Sequence, residues 1–92
     1  MHRDNWSPAL AEALALREQI ALTPEHWEII NLLRDFYQRY ELAPAMRPLV
    51  KQVAQNLGPE KGRSIYLLQL FPPSPAKIAS KIAGLPRPTN CL

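Results

Sequence analysis

The sequence predicts a mainly α-helical protein, a small bundle of about five short helices followed by an extended C-terminal arm. Three observations carry this. Apolar residues recur at three- and four-residue spacing along most of the chain, and no stretch alternates with the period of two that a half-buried strand requires. The ten prolines fall at 8, 24, 44, 48, 59, 72, 73, 75, 86 and 88, mostly where a helix begins or has just ended. The chain has 92 residues, enough for one core and no second one. Residues 1–83 are therefore assigned to a helical domain and 84–92 to the arm.

Each helix carries its own punctuation. Ser7-Pro8 reads as an N-cap followed by proline at the first helical position, and Ala9, Leu10, Ala13 and Leu14 supply an apolar stripe continued by Ile20 or Leu22. Thr23-Pro24-Glu25 repeats the signal, with a carboxylate at the positive end of the next helix. From Pro24 to Tyr40, the residues Trp27, Ile30, Leu33 or Arg34, Tyr37 and Tyr40 keep helical spacing. Ile29, Leu32 and Phe36 widen that face, so this helix is expected at the centre of the core. Ala43-Pro44 opens a third helix, in which Pro48 is tolerable only in the first turn. Its buried face is Leu49, Val50, Val53, Ala54 and Leu57, and Gly58-Pro59 ends it, with Gly58 as the left-handed cap. Ser64 to Phe71 is a short, very apolar fourth helix stopped by Pro72-Pro73. Ser74-Pro75 caps a fifth, carrying Ile78, Ile82 and Ala83 and ended by Gly84.

Composition narrows the function classes. Eleven basic and eight acidic residues give a net charge of +3. From Lys77 onward the charged side chains are Lys77, Lys81 and Arg87. That basic edge suits RNA or an acidic protein surface, and equally suits plain solvation. A single cysteine excludes an internal disulfide framework. No apolar run reaches the length of a membrane span and no signal-peptide core is present, so a cytoplasmic protein with no membrane partner is expected.

Most constellations that could carry chemistry are weak. His2, His26 and Cys91 have no metal-ligand spacing, so no metal is expected; His26 falls in the first turn after Thr23, where a capping or surface role suits it. No small-molecule cofactor is indicated. Trp27, Tyr37 and Tyr40 read as core rather than as a stacking platform for nucleic acid. The alternative function is a helix-turn-helix DNA-binding regulator. Ala54, Gly58 and Ser64-Ile65 match the small residue, turn glycine and buried residue of that motif, with Lys61 and Arg63 near the start of the second helix. The recognition helix would run from Ile65 to Phe71 with no basic residue and one amide, Gln69, which is a poor base-reading face.

The most informative residue is Cys91, the only cysteine and the second-to-last residue. It follows Gly84-Leu85-Pro86-Arg87-Pro88-Thr89-Asn90. Two prolines in that run disfavour helix and extend the chain, so the thiol sits at the end of a semi-stiff arm. That geometry suits a group that reaches into another protein's active site. A spare thiol in a frayed tail is the competing reading.

Longer matches favour the first. Leu22-Thr23-Pro24-Glu25-His26-Trp27-Glu28-Ile29-Ile30, Leu33-Arg34-Asp35-Phe36-Tyr37, Pro44-Ala45-Met46-Arg47, Glu60-Lys61-Gly62-Arg63-Ser64-Ile65-Tyr66-Leu67, Leu70-Phe71-Pro72 with Pro75-Ala76-Lys77, and Ile82-Ala83-Gly84-Leu85-Pro86-Arg87-Pro88-Thr89 occur in one order before the penultimate cysteine. From Trp6 to Leu92 the chain resembles the TusE/DsrC family. The resemblance implies that Cys91 carries sulfur as a persulfide and that Gly84, Leu85, Pro86, Arg87 and Pro88 present it. Members of the DsrC type have a second arm cysteine eleven positions earlier, where this chain has Ser80. The resemblance therefore implies the TusE branch, a sulfurtransferase taking sulfur from a TusBCD-type donor complex. It would pass that sulfur to an MnmA-type tRNA thiolase, with or without tRNA in contact, for 2-thiolation of the wobble uridine. Family members usually begin with a further segment of short β-strands, so that small sheet is expected to be missing here. Asn90 stands where the family often has glycine.

Overall fold

The computed structural model describes residues 6–86. They form five helices: α1 (Pro8–Arg17), α2 (Pro24–Tyr40), α3 (Met46–Leu57), α4 (Ser64–Leu70) and α5 (Pro75–Ile82). No strand occurs among the described residues. Helix order and the bundle architecture agree with the sequence reading.

The starts follow local chemistry. Ser7 Oγ accepts the Leu10 N–H at 3.2 Å, ahead of Pro8. At α2 the Thr23 N–H donates to His26 Nδ1 at 3.1 Å, closing a capping box in which a histidine replaces the usual acid or amide. Pro48 lies in the first turn of α3, where its missing N–H breaks no bond.

The core is organised around α5, which packs against each of the other four helices. Ile78, Ala79 and Ile82 are buried there with Ile29, Ile30 and Leu33 of α2, Leu49 and Val53 of α3, and Leu67 and Phe71. The sequence places α2 at the centre. The shorter α5 takes that place because its small residues Ala79, Ser80 and Ala83 let neighbours approach from several sides. Burying one isoleucine of this kind contributes about 1.5–3 kcal/mol.

Three details of the sequence reading are corrected. On α1 the buried residues are Ala11 and Ala15, with Leu14 half-buried, whereas Ala9, Leu10 and Ala13 are exposed. The helix lies chiefly on α5, and alanines allow a closer approach than leucines. Tyr40 is exposed at the last turn of α2, beyond the edge of the core, and tilts against Phe36 with ring centroids 4.6 Å apart. Gly58 does have positive φ, but at φ 110° and ψ 152° it lies outside the left-handed helical region, in a conformation that favours glycine all the same.

Candidate functional site

Of the residues assigned to the site by sequence, Gly84, Leu85 and Pro86 are among those described; Arg87, Pro88 and Cys91 lie outside them. The part of the candidate site seen here is residues 84–86, just past the end of α5.

That end is built from a complete set of satisfied carbonyls. Gly84 has φ 77°, the left-handed conformation expected of it. Its N–H donates to the Lys81 carbonyl at 3.1 Å, and the Leu85 N–H donates to the Ser80 carbonyl at 2.9 Å. These are the two bonds of a Schellman motif. The Ala83 N–H donates to the Ala79 carbonyl at 2.9 Å. The remaining two carbonyls bond to side chains from distant parts of the chain. Trp6 Nε1–H donates to Ile82 at 2.9 Å, and Arg34 Nη1–H donates to Ala83 at 2.6 Å. Every carbonyl from 79 to 83 therefore has a donor. A helix end would otherwise leave its last carbonyls to water.

Trp6 and Arg34 also touch each other. The Arg34 guanidinium carbon stands 3.9 Å from the centroid of the Trp6 ring. The Trp6 side chain also lies so close to Gly84 that a Cβ there would come within 2.4 Å of Trp6 Cδ1. Trp6 thus touches both the Arg34 guanidinium and the Gly84 backbone. Burial pushes the Arg34 pKa down from its ordinary value, yet a guanidinium stays cationic at any physiological pH. Its charge lies at the negative end of the α5 dipole, where it is stabilising.

Leu85 packs against the core from the rim. It separates two open clefts. One, of about 570 Å³, is lined by Asn31, Arg34, Asp35, Tyr37, Gln38 and Glu41. The other, of about 420 Å³, is lined by Lys77, Ile78 and Lys81. The basic edge expected there is partly neutralised, because Lys81 Nζ donates to Glu18 Oε2 at 2.8 Å. Beneath the arm root, Ser80 is buried at 1% exposure, with a hydroxyl that has no hydrogen-bond partner.

The other candidates take structural places. His26 is buried and bonded through both ring nitrogens. Nδ1 accepts from Thr23, and Nε2 meets the Leu70 carbonyl at 2.8 Å and so carries the proton. Its ring also meets Phe71 edge-on at 5.0 Å. Capping is as expected; burial is not, and it follows from the bond that ties α2 to the end of α4. No group of three or more metal-ligating side chains occurs among the described residues. The α3–turn–α4 segment is closely packed, since a Cβ on Gly62 would fall 2.3 Å from that of Ala54. However, Ile65, assigned the buried position of a helix-turn-helix, is 60% exposed. The outer face of α4 presents Ile65, Leu68 and Gln69, which is not a base-reading surface.

Trp6 and Arg34 were not singled out for the arm by the sequence. An arginine on the apolar arc of α2, level with Leu33, was the available signal, because a cation there needs an acceptor from a neighbouring element.

No described helix is long and apolar enough to cross a membrane. A family model described as DsrC like protein matches residues 1–92. The chain is 56% identical over 87 residues to the sulfurtransferase TusE of Pectobacterium atrosepticum, covering 95% of this chain and 80% of that protein. It is 52% identical over 92 residues to a sulfurtransferase TusE homolog of Haemophilus influenzae, covering 100% and 84%. Among solved structures, DsrC of Allochromatium vinosum superposes with a TM-score of 0.88 at 50% identity, covering 97% of this chain and 80% of that one. The oxidized γ-subunit of the dissimilatory sulfite reductase of Archaeoglobus fulgidus, also DsrC, gives 0.82 at 42% identity, covering 100% and 84%. The chain belongs to the DsrC-like family.

Proposed function

We propose that this protein is a cytoplasmic sulfur carrier of the TusE kind, with Cys91 as its persulfide-bearing residue and residues 84–92 as the arm that presents it. The observation that carries the reading is near-full-length identity above one half to proteins named sulfurtransferase TusE. This chain's one thiol stands at the penultimate position. The Cys91 thiolate attacks the outer sulfur of a donor persulfide, R–S–SH. The donor S–S bond breaks, the donor leaves as R–S⁻, and Cys91–S–SH forms with no net oxidation. A second attack by the acceptor's thiolate on that outer sulfur hands it on. The donor is read as a TusBCD-type complex and the acceptor as an MnmA-type enzyme thiolating the tRNA wobble uridine. Ser80 supports this branch over a two-cysteine redox cycle, since a serine closes no disulfide with Cys91.

Intact-mass spectrometry after incubation with a persulfidated donor tests the reading. One added sulfur on the parent and none on Cys91→Ser is the expected result. Cys91→Ser should keep its stability within about 0.5 kcal/mol, as surface substitutions do. No adduct on the parent, or clear destabilisation of Cys91→Ser, would count against it.

A further inference from the structure

We propose that Trp6 and Arg34 are positioning residues for sulfur transfer: together they set the direction in which the arm leaves the domain. The inference rests on the sulfur-carrier reading above. It starts from where these two side chains spend their hydrogen bonds. Trp6 precedes α1 and Arg34 lies in the middle of α2, yet their donors converge on Ile82 and Ala83, the last residues before the arm's glycine. The arm root is thereby held by segments 76 and 49 residues away in sequence. Either donor alone would fix one carbonyl. The pair fixes two successive peptide planes, and the close contact of Trp6 with Gly84, itself braced by Arg34, restrains the third. With three consecutive planes held, the chain leaves along one line instead of pivoting at the glycine.

The chemistry of the two residues suits this task. Arginine supplies a planar fork that can stack on an indole and donate to a carbonyl at once, which the lysine ammonium does not reproduce. Tryptophan covers the glycine with a flat apolar face while its single N–H reaches past it. Neither residue belongs to the group of fully buried side chains that forms the core. Trp6 packs on the rim of the core, and both residues add directional bonds to the two carbonyls. Transfer between two proteins requires the attacking thiolate to arrive in line with the donor S–S bond, and small misplacements of that kind are costly in rate. A small diffusible persulfide finds its own approach and does not depend on arm direction.

That difference provides the test. Sulfur uptake by Cys91 is measured with a persulfidated donor protein of the relay and, separately, with glutathione persulfide, for the parent and for Arg34→Met, Arg34→Lys and Trp6→Leu. Arg34→Met and Trp6→Leu are expected to lower kcat/KM with the protein donor about tenfold or more, with glutathione persulfide rates within about twofold of the parent. Arg34→Lys is expected to keep the charge and the fold yet recover little of the protein-donor rate. It serves in place of Arg34→Met should the latter fold poorly. A nitroxide on Cys91 gives a readout independent of transfer. Its paramagnetic broadening is expected to be confined to one face of the domain in the parent and to spread in the variants. Equal protein-donor rates, equal losses with both donors, or an unchanged broadening pattern would each overturn the positioning role while leaving the carrier reading standing. A parent that accepts sulfur from neither donor would overturn both.

Discussion

Three of the described helices end in a residue of left-handed φ, α1 at Gln19 with φ 62°, α2 at Glu41 and α5 at Gly84, and the last two ends are built differently. α2 ends at Glu41, with φ 56° and ψ 34°, whose N–H bonds to the Tyr37 carbonyl at 2.7 Å. The side chains around it are exposed, and the neighbouring Arg39–Asp35 pair at 3.7 Å is solvent-screened and worth little. α5 ends at Gly84, with φ 77°, and its last five carbonyls all have donors, two of them side chains from elsewhere in the fold. A left-handed conformation costs a residue with a Cβ about 1–2 kcal/mol. At Glu41 that cost is tolerated, because the chain beyond it only has to turn into α3. At Gly84 glycine is required twice, by backbone conformation and because Trp6 occupies the space of a Cβ. The contrast is what the proposed positioning role requires: the more heavily bonded end is the one that leads to Cys91 in sequence.

The comparison is broken most directly at Gly84. Gly84→Val must place a β-branched side chain at positive φ and displace the Trp6 ring, so about 3 kcal/mol of stability should be lost in chemical denaturation. Sequence alone suggests a modest loss; the Trp6 contact enlarges it. Under conditions where the variant is folded, uptake from a protein donor should fall further than its alkylation by a small reagent, which should match the parent. A variant as stable as the parent would show that Trp6 yields without cost and that the two helix ends are equivalent after all.

A finer cut separates the stack from the hydrogen bond. Trp6→Phe keeps an aromatic face over Gly84 and under Arg34 but loses the N–H that reaches Ile82. Loss of one such bond should cost about 1 kcal/mol, read as a lower denaturation midpoint at unchanged slope. If Trp6→Phe is neutral, the ring's packing holds the arm root and the carbonyl is adequately served by water.

The same contrast explains how much could be read from sequence. Ser7-Pro8, Thr23-Pro24, Ser74-Pro75 and Gly84 each mark a helix end through chemistry contained within a few residues, and those ends were legible. Glu41 was not, since nothing local distinguishes a glutamate that will turn left-handed. The α1 face was misjudged because alanine has little hydrophobic signal, and its burial depends on the small residues of α5 opposite. Arg34 and Trp6 were illegible as a pair because their shared partner lies at the far end of the chain. The apolar stripe of α2 admits either Leu33 or Arg34; the structure uses Leu33 for the core, and Arg34 bonds the Ala83 carbonyl. Of the candidate site, the resemblance implies Cys91 and residues 84–88, and the structure describes what holds residues 82–84.

At the other helix end, Glu41→Gly should stabilise the protein by about 0.5–1 kcal/mol. Relief of the left-handed strain exceeds the added freedom of glycine in the unfolded chain. Protein-donor uptake should be unchanged. A matching change in uptake would mean that the cleft shared by Glu41, Arg34 and Leu85 couples the two ends, and the contrast between them would have to be redrawn.

The smallest effect is expected within the α5 cap, at Ser80. Its hydroxyl is buried and unpartnered, an arrangement that costs stability. Ser80→Cys replaces it with a larger, less polar atom. Relief of the unpaired hydroxyl and mild overpacking should nearly cancel, leaving stability within about 1 kcal/mol of the parent. The substitution restores the cysteine spacing of the DsrC type, which from sequence alone suggests a ready disulfide with Cys91. The structure imposes a condition on that expectation. Residue 80 is the position whose carbonyl holds the Leu85 N–H, and its side chain faces the core, so a thiol there is reachable only when the end of α5 opens. Alkylation mapped by peptide mass spectrometry should label residue 91 at least about a hundredfold faster than residue 80 in the native state, and the two rates should converge in denaturant. Mild oxidation should close the disulfide no faster than residue 80 becomes labelled. Comparable native labelling at both positions would mean that the last turn of α5 is open in solution, and with it the fixed root on which the contrast between the two helix ends depends.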